Sequence, residues 1–192
     1  IRDERIPAEI TIGLTPENLF NVDITKRISE SDLLNKSGLE NHLFKLNGVI
    51  DYSGTEVYEL SFDQKDGIHE SLYTGKLYIE VNSLAIVALK LARSSKGIAY
   101  AKFGDPVQRT LAKMMGIGIE LRKDDLSVAY QKKGGKWVLA YVKMFTVFNF
   151  KSNRKFYDFT ANIKTDYVVT GVDTSANNEF SGKETLGDNK WI

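Results

Sequence analysis

Cysteine is absent from the 192 residues, which removes disulfides, thiol nucleophiles and thiolate metal sites together. That absence leaves the redox compartment open, because oxidising spaces hold cysteine-free proteins as readily as reducing ones. Histidine is nearly as scarce, with only His42 and His69 to act as a metal ligand or as a base near neutral pH. An excess of one charge is missing too: 26 Lys and Arg face 25 Asp and Glu, interspersed, for a net charge of +1. Nothing electrostatic therefore argues for nucleic acid as a partner. No run approaches the ~18 apolar residues of a membrane helix, so no transmembrane segment is expected. No signal-peptide pattern precedes the first strand. The chain opens on Ile1, not Met, as expected of a processed or trimmed protein that has shed any targeting segment.

What is present is the composition of an ordinary folded domain, 42% hydrophobic and 27% charged, and one domain of this length can bury a core unaided. From Leu43 onward the leading signal is period-two alternation broken by turn dipeptides, the mark of strands joined by hairpins. Phe44, Leu46, Ile50 and Tyr52 fall on one face by simple alternation, and Ser53-Gly54 offers a tight turn into Tyr58, Leu60 and Phe62. Asp66-Gly67 predicts a second two-residue turn, with a strand from Ile68 in which Gly75 marks a bulge or bend. After a turn at Asn82-Ser83, the dense apolar run Leu84 to Ala92 reads as a central strand. Trp137 to Phe150 is apolar on both sides. Alternation sets Trp137, Leu139, Tyr141, Phe145 and Val147 against Val138, Val142, Met144, Phe148 and Phe150. Gly134-Gly135 and Ser152-Asn153 mark the hairpins around it. Tyr157, Phe159, Ala161, Ile163, Tyr167 and Val169 point inward on the last strand.

One helix is well signalled near 105–116: Asp105 as N-cap, Pro106 in the first turn, Gly116 as stop. Its stripe of Val107, Leu111, Met114 and Met115 has the spacing of a helix lying on a sheet, with methionines as core filler. Thr15-Pro16-Glu17 opens a weaker helix, and Ser31-Asp32-Leu33-Leu34 a short turn. These signals give an α+β domain: a curved antiparallel β-meander, a half-barrel of roughly seven or eight strands, packed against one or two helices. The expected layout is one domain over 1–192, with a helical or irregular segment over 1–42, the meander over 43–172 and a polar tail over 173–192 that carries Trp191.

Chemistry is thin. No G-x-S-x-G elbow holds a serine, and Gly116-Ile117-Gly118 lacks the lysine and the strand-loop-helix setting of a phosphate loop. Asp66-Gly67-Ile68-His69-Glu70 is the one place where a histidine sits among carboxylates, the mixture that tunes a general base or binds a metal. Adjacent strand residues point to opposite faces, so His69 and Glu70 converge only across a bulge. His42 is a polar residue at a strand entry. Asp124-Asp125 and Glu30/Asp32 are carboxylate pairs of the kind found on turns, without calcium-loop spacing. Lys132, Lys133 and Lys136 make the densest positive cluster, a solvated hairpin tip. No catalytic, cofactor-binding or metal residue is assigned, and no cofactor is expected.

The stretch Tyr73-Thr74-Gly75-Lys76-Leu77-Tyr78-Ile79-Glu80-Val81-Asn82-Ser83-Leu84-Ala85-Ile86-Val87 resembles a Y-x-G-x-[IL]-[YW]-[IV]-[DE]-x-x-[ST]-x-A-I hairpin. That hairpin occurs in an uncharacterised bacterial cell-envelope domain found after carboxypeptidase-regulatory-like domains. Gly134-Gly135-Lys136-Trp137-Val138-Leu139-Ala140-Tyr141 is similar to a second strand of that family. The likeness spans Leu43 to Val172, and the chain lacks the family's preceding sandwich domain. By fold analogy the meander also resembles the lipoprotein-carrier half-barrel of the LolA/LolB type. These resemblances imply a periplasmic or outer-membrane-associated location in a Gram-negative envelope. They also imply a non-enzymatic module that binds a lipid-like or other apolar ligand, or packs against an adjacent envelope domain. Two other readings stand beside it: an envelope hydrolase built around Asp66, His69 and Glu70, and an interaction module that recruits another strand at an open sheet edge.

Overall fold

The computed structural model describes residues 33–102, 106–152 and 157–172. Seven antiparallel strands form one sheet in sequence order: β1 (His42–Tyr52), β2 (Thr55–Gln64), β3 (Tyr73–Glu80), β4 (Ile86–Arg93), β5 (Ile117–Lys133), β6 (Lys136–Ser152) and β7 (Tyr157–Val168). The meander is as expected, and the apolar run of β4 does occupy the middle of the sheet. The sheet is not closed. The helical half of the α+β expectation shrinks to α1 (Lys36–Asn41), a 3₁₀ turn at Ile98–Tyr100 and α2 (Pro106–Met114) among the described residues. None of these helices is long and apolar enough to cross a membrane. The expected helix start at Thr15-Pro16-Glu17, the tail from Asp173 with Trp191, and the Asn153 turn lie outside the described residues.

Two of the tight turns form as their sequences dictate. Ser53 and Gly54 take φ of 53° and 80°, and Gly134 and Gly135 take 54° and 77°, the paired positive values that match the twist of a hairpin. Asp66-Gly67 does not make the expected two-residue turn: β2 ends at Gln64 and β3 begins at Tyr73. The cause is the fully buried Gln64. Its Nε2 donates to the carbonyls of Ile68 (2.8 Å) and Glu70 (2.9 Å), and its Oε1 accepts from the Leu72 amide at 3.2 Å. One side chain thus satisfies three backbone groups that a strand ladder would otherwise claim. Gly75 is a place of close approach, not a bulge, since a Cβ there would lie 1.9 Å from the Lys90 carbonyl oxygen.

Four irregularities reset which side chains share a face. In β1 the register slips between Leu46 and Gly48, in β3/β4 beside Val87, and in β5/β6 at Arg122 and again at Ala140. Phe44 and Leu46 therefore pair with Phe62 and Leu60, while Ile50 and Tyr52 pair with Val57 and Thr55 on the opposite face. The single face expected for these four residues is split. Likewise Leu139 joins Val142 on one face and Tyr141 joins Phe145 on the other, which corrects the grouping that plain alternation gave.

The first core follows one line of partners through six strands, Leu60, Leu77, Leu89, Val128, Val142 and Tyr167, and the line runs on to the exposed Leu46 of β1. Leu33, from the turn before α1, buries itself in this cluster with Phe62 and Leu91. On the opposite face Val57, Tyr78, Val87, Ala88 and Ala129 form a second, smaller core, flanked by Tyr52, Trp137 and Tyr141. Burying a Leu or Val side chain stabilises by about 1.5–3 kcal/mol, so the middle of the sheet is anchored from both sides.

Candidate functional site

The loop over residues 65–72 carries the sequence-selected trio and is held from outside by Lys96. The Lys96 ammonium lies 2.9 Å from Asp66, 3.3 Å from Asp63, and donates to the Gln64 carbonyl at 2.9 Å. Asp66 holds its ammonium form above the usual lysine range, with Asp63 adding to the effect. Burial pushes the Asp63 carboxyl up, but hydrogen bonds from the Ser94 hydroxyl, the Lys96 ammonium and the Gln64 amide outweigh it and leave it low. Asp66 itself has a side chain 91% exposed. His69 is exposed, with its ring 5.5 Å from that of Tyr100. Glu70 is exposed and contributes its carbonyl, not its carboxylate, to the Gln64 network. No hydrogen bond or ion pair joins the three side chains among the described residues, and no group of His, Asp and Glu there could hold a metal. The trio's chemistry is that of a solvated loop over a buried amide clamp.

His42, expected at a strand entry, sits there but is buried. Its Nδ1 lies 2.6 Å from the Gly38 carbonyl of α1, and its ring packs edge-on to Phe62 at 5.8 Å. The side chain ties α1 to the sheet. Asp124 and Asp125 lie in mid-strand, not on a turn. Asp124 accepts from Thr146 at 3.0 Å and pairs with Arg93 at 3.3 Å, and Asp125 pairs with Lys123 at 2.8 Å. Lys132, Lys133 and Lys136 occupy the exposed β5–β6 hairpin tip as expected.

Two ionisable groups depart furthest from their ordinary values, and both are structural. The Glu80 carboxylate is ringed by the turn it closes: the Ser83 hydroxyl and amide and the Asn82 amide and side chain all donate to it. These donors, the Ser83 hydroxyl first, hold it down at about 2. Tyr52 stacks on Tyr78 with ring centres 4.7 Å apart. Burial pushes its hydroxyl up to about 12, helped by a hydrogen bond with Tyr141.

Sequence reasoning located α2 but not the cover of its apolar stripe. Pro106 begins it and Gly116, at φ 70°, follows its end, as expected. Its apolar stripe does not lie on the sheet: Val107, Leu111, Met114 and, just past the helix end, Met115 are 68%, 53%, 66% and 51% exposed. Among its described side chains the half-buried ones are Arg109 and Ala112, and the helix meets β5. An i, i+4, i+7, i+8 stripe reports that a helix has an apolar side, not what covers it. Arg109 and Lys113 are its only charged residues. No family model matches the chain, and neither does any curated protein or solved structure.

Proposed function

We propose that this protein is a non-enzymatic cell-envelope module that attaches reversibly to an anionic lipid surface through α2. The observation that carries the reading is the outward stripe of Leu111, Met114 and Met115, prolonged by Val107, on a helix whose only charges are positive. Such a helix lies in the headgroup plane with its apolar side dipped into the acyl boundary, drawn there by anionic lipid. Nine residues bury little area, so attachment is weak and reversible, as suits a periplasmic or outer-membrane-associated protein. A second reading, the lipoprotein-carrier half-barrel, is favoured by the apolar line from Leu46 to Tyr167, whose β1 end is exposed. It holds a lipid against that line.

Co-sedimentation with phosphatidylglycerol vesicles tests the first reading. The wild type is expected to pellet with these vesicles and not with phosphatidylcholine, and Leu111→Ser/Met114→Ser/Met115→Ser to remain in the supernatant while folded. Equal pelleting of the two proteins removes α2 as the attachment. Native mass spectrometry that finds a lipid bound stoichiometrically to the triple variant transfers the function to the half-barrel.

A further inference from the structure

Strand pairing assembles a line of charge that no stretch of the sequence contains. On the face opposite the Leu46–Tyr167 line, Lys45 pairs with Ser61, Ser61 with Lys76, Lys76 with Lys90, Lys90 with Ser127, and Ser127 with Lys143. The line reads Lys-Ser-Lys-Lys-Ser-Lys across six consecutive strands and ends on Asp166 of β7. At the usual strand spacing it runs for about 24 Å. Lys45, Lys90 and Lys143 are exposed and have no ion-pair partner among the described residues, whereas Lys76 pairs with Glu59 at 2.9 Å. Lys76 and Lys90 stand directly opposite each other, and Glu59 neutralises only the first of this like-charged pair.

The rows on either side are not basic. One holds Glu59, Tyr78, Ala88, Ala129 and Tyr141; the other holds Thr74, Ala92, Asp125, Phe145 and Lys164. The positive charge is thus one residue wide and several strands long. A narrow file of charge matches a linear polyanion, whereas a bilayer spreads its charge in two dimensions and is met at α2 by an inserted apolar stripe. Nucleic acid fits poorly, because single strands are gripped by stacking bases on open aromatic faces. Here the ammoniums of Lys90 and Lys143 lie over the rings of Tyr78 (5.6 Å) and Tyr141 (5.2 Å). What remains is a polymer that offers repeated anionic groups for lysine and repeated hydroxyls for Ser61 and Ser127.

We infer that this face binds an acidic polysaccharide laid across the strands, its carboxylates on Lys45, Lys90 and Lys143. The site is separate from α2 and does not depend on the attachment proposed for it. Fluorescence polarisation with labelled polygalacturonate at low salt is the test. The expected result is binding that weakens at least about tenfold in Lys45→Ser/Lys90→Ser/Lys143→Ser. It should hold within about twofold in Lys132→Ser/Lys133→Ser/Lys136→Ser, which removes the same charge from the hairpin tip. Lys90→Ser alone should weaken it measurably if the triple variant does not fold. The inference is overturned if the wild type fails to bind, or if the tip variant loses as much as the face variant. Tighter binding of oligothymidylate through the same lysines overturns it too, as does vesicle binding that the face variant, and not the α2 variant, abolishes.

Discussion

The middle of the sheet and its outlying parts have similar apolar alternation and opposite fates. In β2, β3, β4 and the Val128–Ala129 stretch of β5, both faces are packed, with Leu89, Val87, Val57 and Val128 fully buried. In β1, α2 and β7 the same residue types stand in water: Leu43, Leu46 and Val49 on one edge, Phe159 and Val168 on the other, and the stripe of α2 between β4 and β5. The difference is one of layers. A strand in mid-sheet has neighbours on both sides and a cluster above and below, whereas an edge strand has a partner on one side only. Apolar periodicity states which side of an element prefers cover; tertiary position decides whether cover arrives.

The largest break in this contrast is Gly75→Ala. The added Cβ would lie 1.9 Å from the Lys90 carbonyl oxygen at a φ of 155°, in the central β3–β4 hairpin. The expected cost is above about 4 kcal/mol, read as a collapsed urea midpoint or loss of the folded state. Next comes Leu89→Ala, which empties a fully buried position and is expected to cost about 3 kcal/mol. Gln64→Ala should follow, at about 2 kcal/mol, because it orphans the Leu72 amide and the Ile68 and Glu70 carbonyls together. Hydrogen exchange would show that loss concentrated in residues 65–72.

A pH-dependent effect comes fourth. Glu80 is held at about 2 against an ordinary 4.5, so the folded state prefers the ionised form. The stabilisation is complete above the ordinary value and disappears as pH falls through the lowered one. The melting temperature of the wild type should therefore exceed that of Glu80→Gln at pH 6, with the gap closing toward pH 2; a gap independent of pH would refute the assignment. The smallest effect belongs to the periphery: Leu111→Ser with Met114→Ser should shift stability by less than about 0.5 kcal/mol, in contrast to Leu89→Ala. A cost near that of Leu89→Ala would mean that α2 is packed after all.

What could be read in the sequence was local. Ser53-Gly54 and Gly134-Gly135 named their turns because the φ values they supply are properties of those residues, and Pro106 named the start of α2 for the same reason. The faces of β1 and β6 were not legible, because the slips at Asn47 and Ala140 depend on the partner strand. Gln64 looked like an unremarkable strand residue and instead replaces the Asp66-Gly67 turn with a longer loop. The trio at Asp66, His69 and Glu70 was conspicuous by residue type alone. The lysine file was invisible, since neighbours in the line stand up to 37 positions apart in the sequence and meet only once registers are known.

Every ladder in the sheet joins consecutive strands, but the β4–β5 ladder must close over the segment that carries α2, and it pairs only Ala88–Ala92 with Asp125–Ala129. The other hairpins can zip from their own turns, so this short seam is the entropically expensive step of assembly. Residues that stitch it, Leu89 and Val128 above all, should retard refolding when truncated. Changes within the β6–β7 ladder should chiefly hasten the reverse reaction.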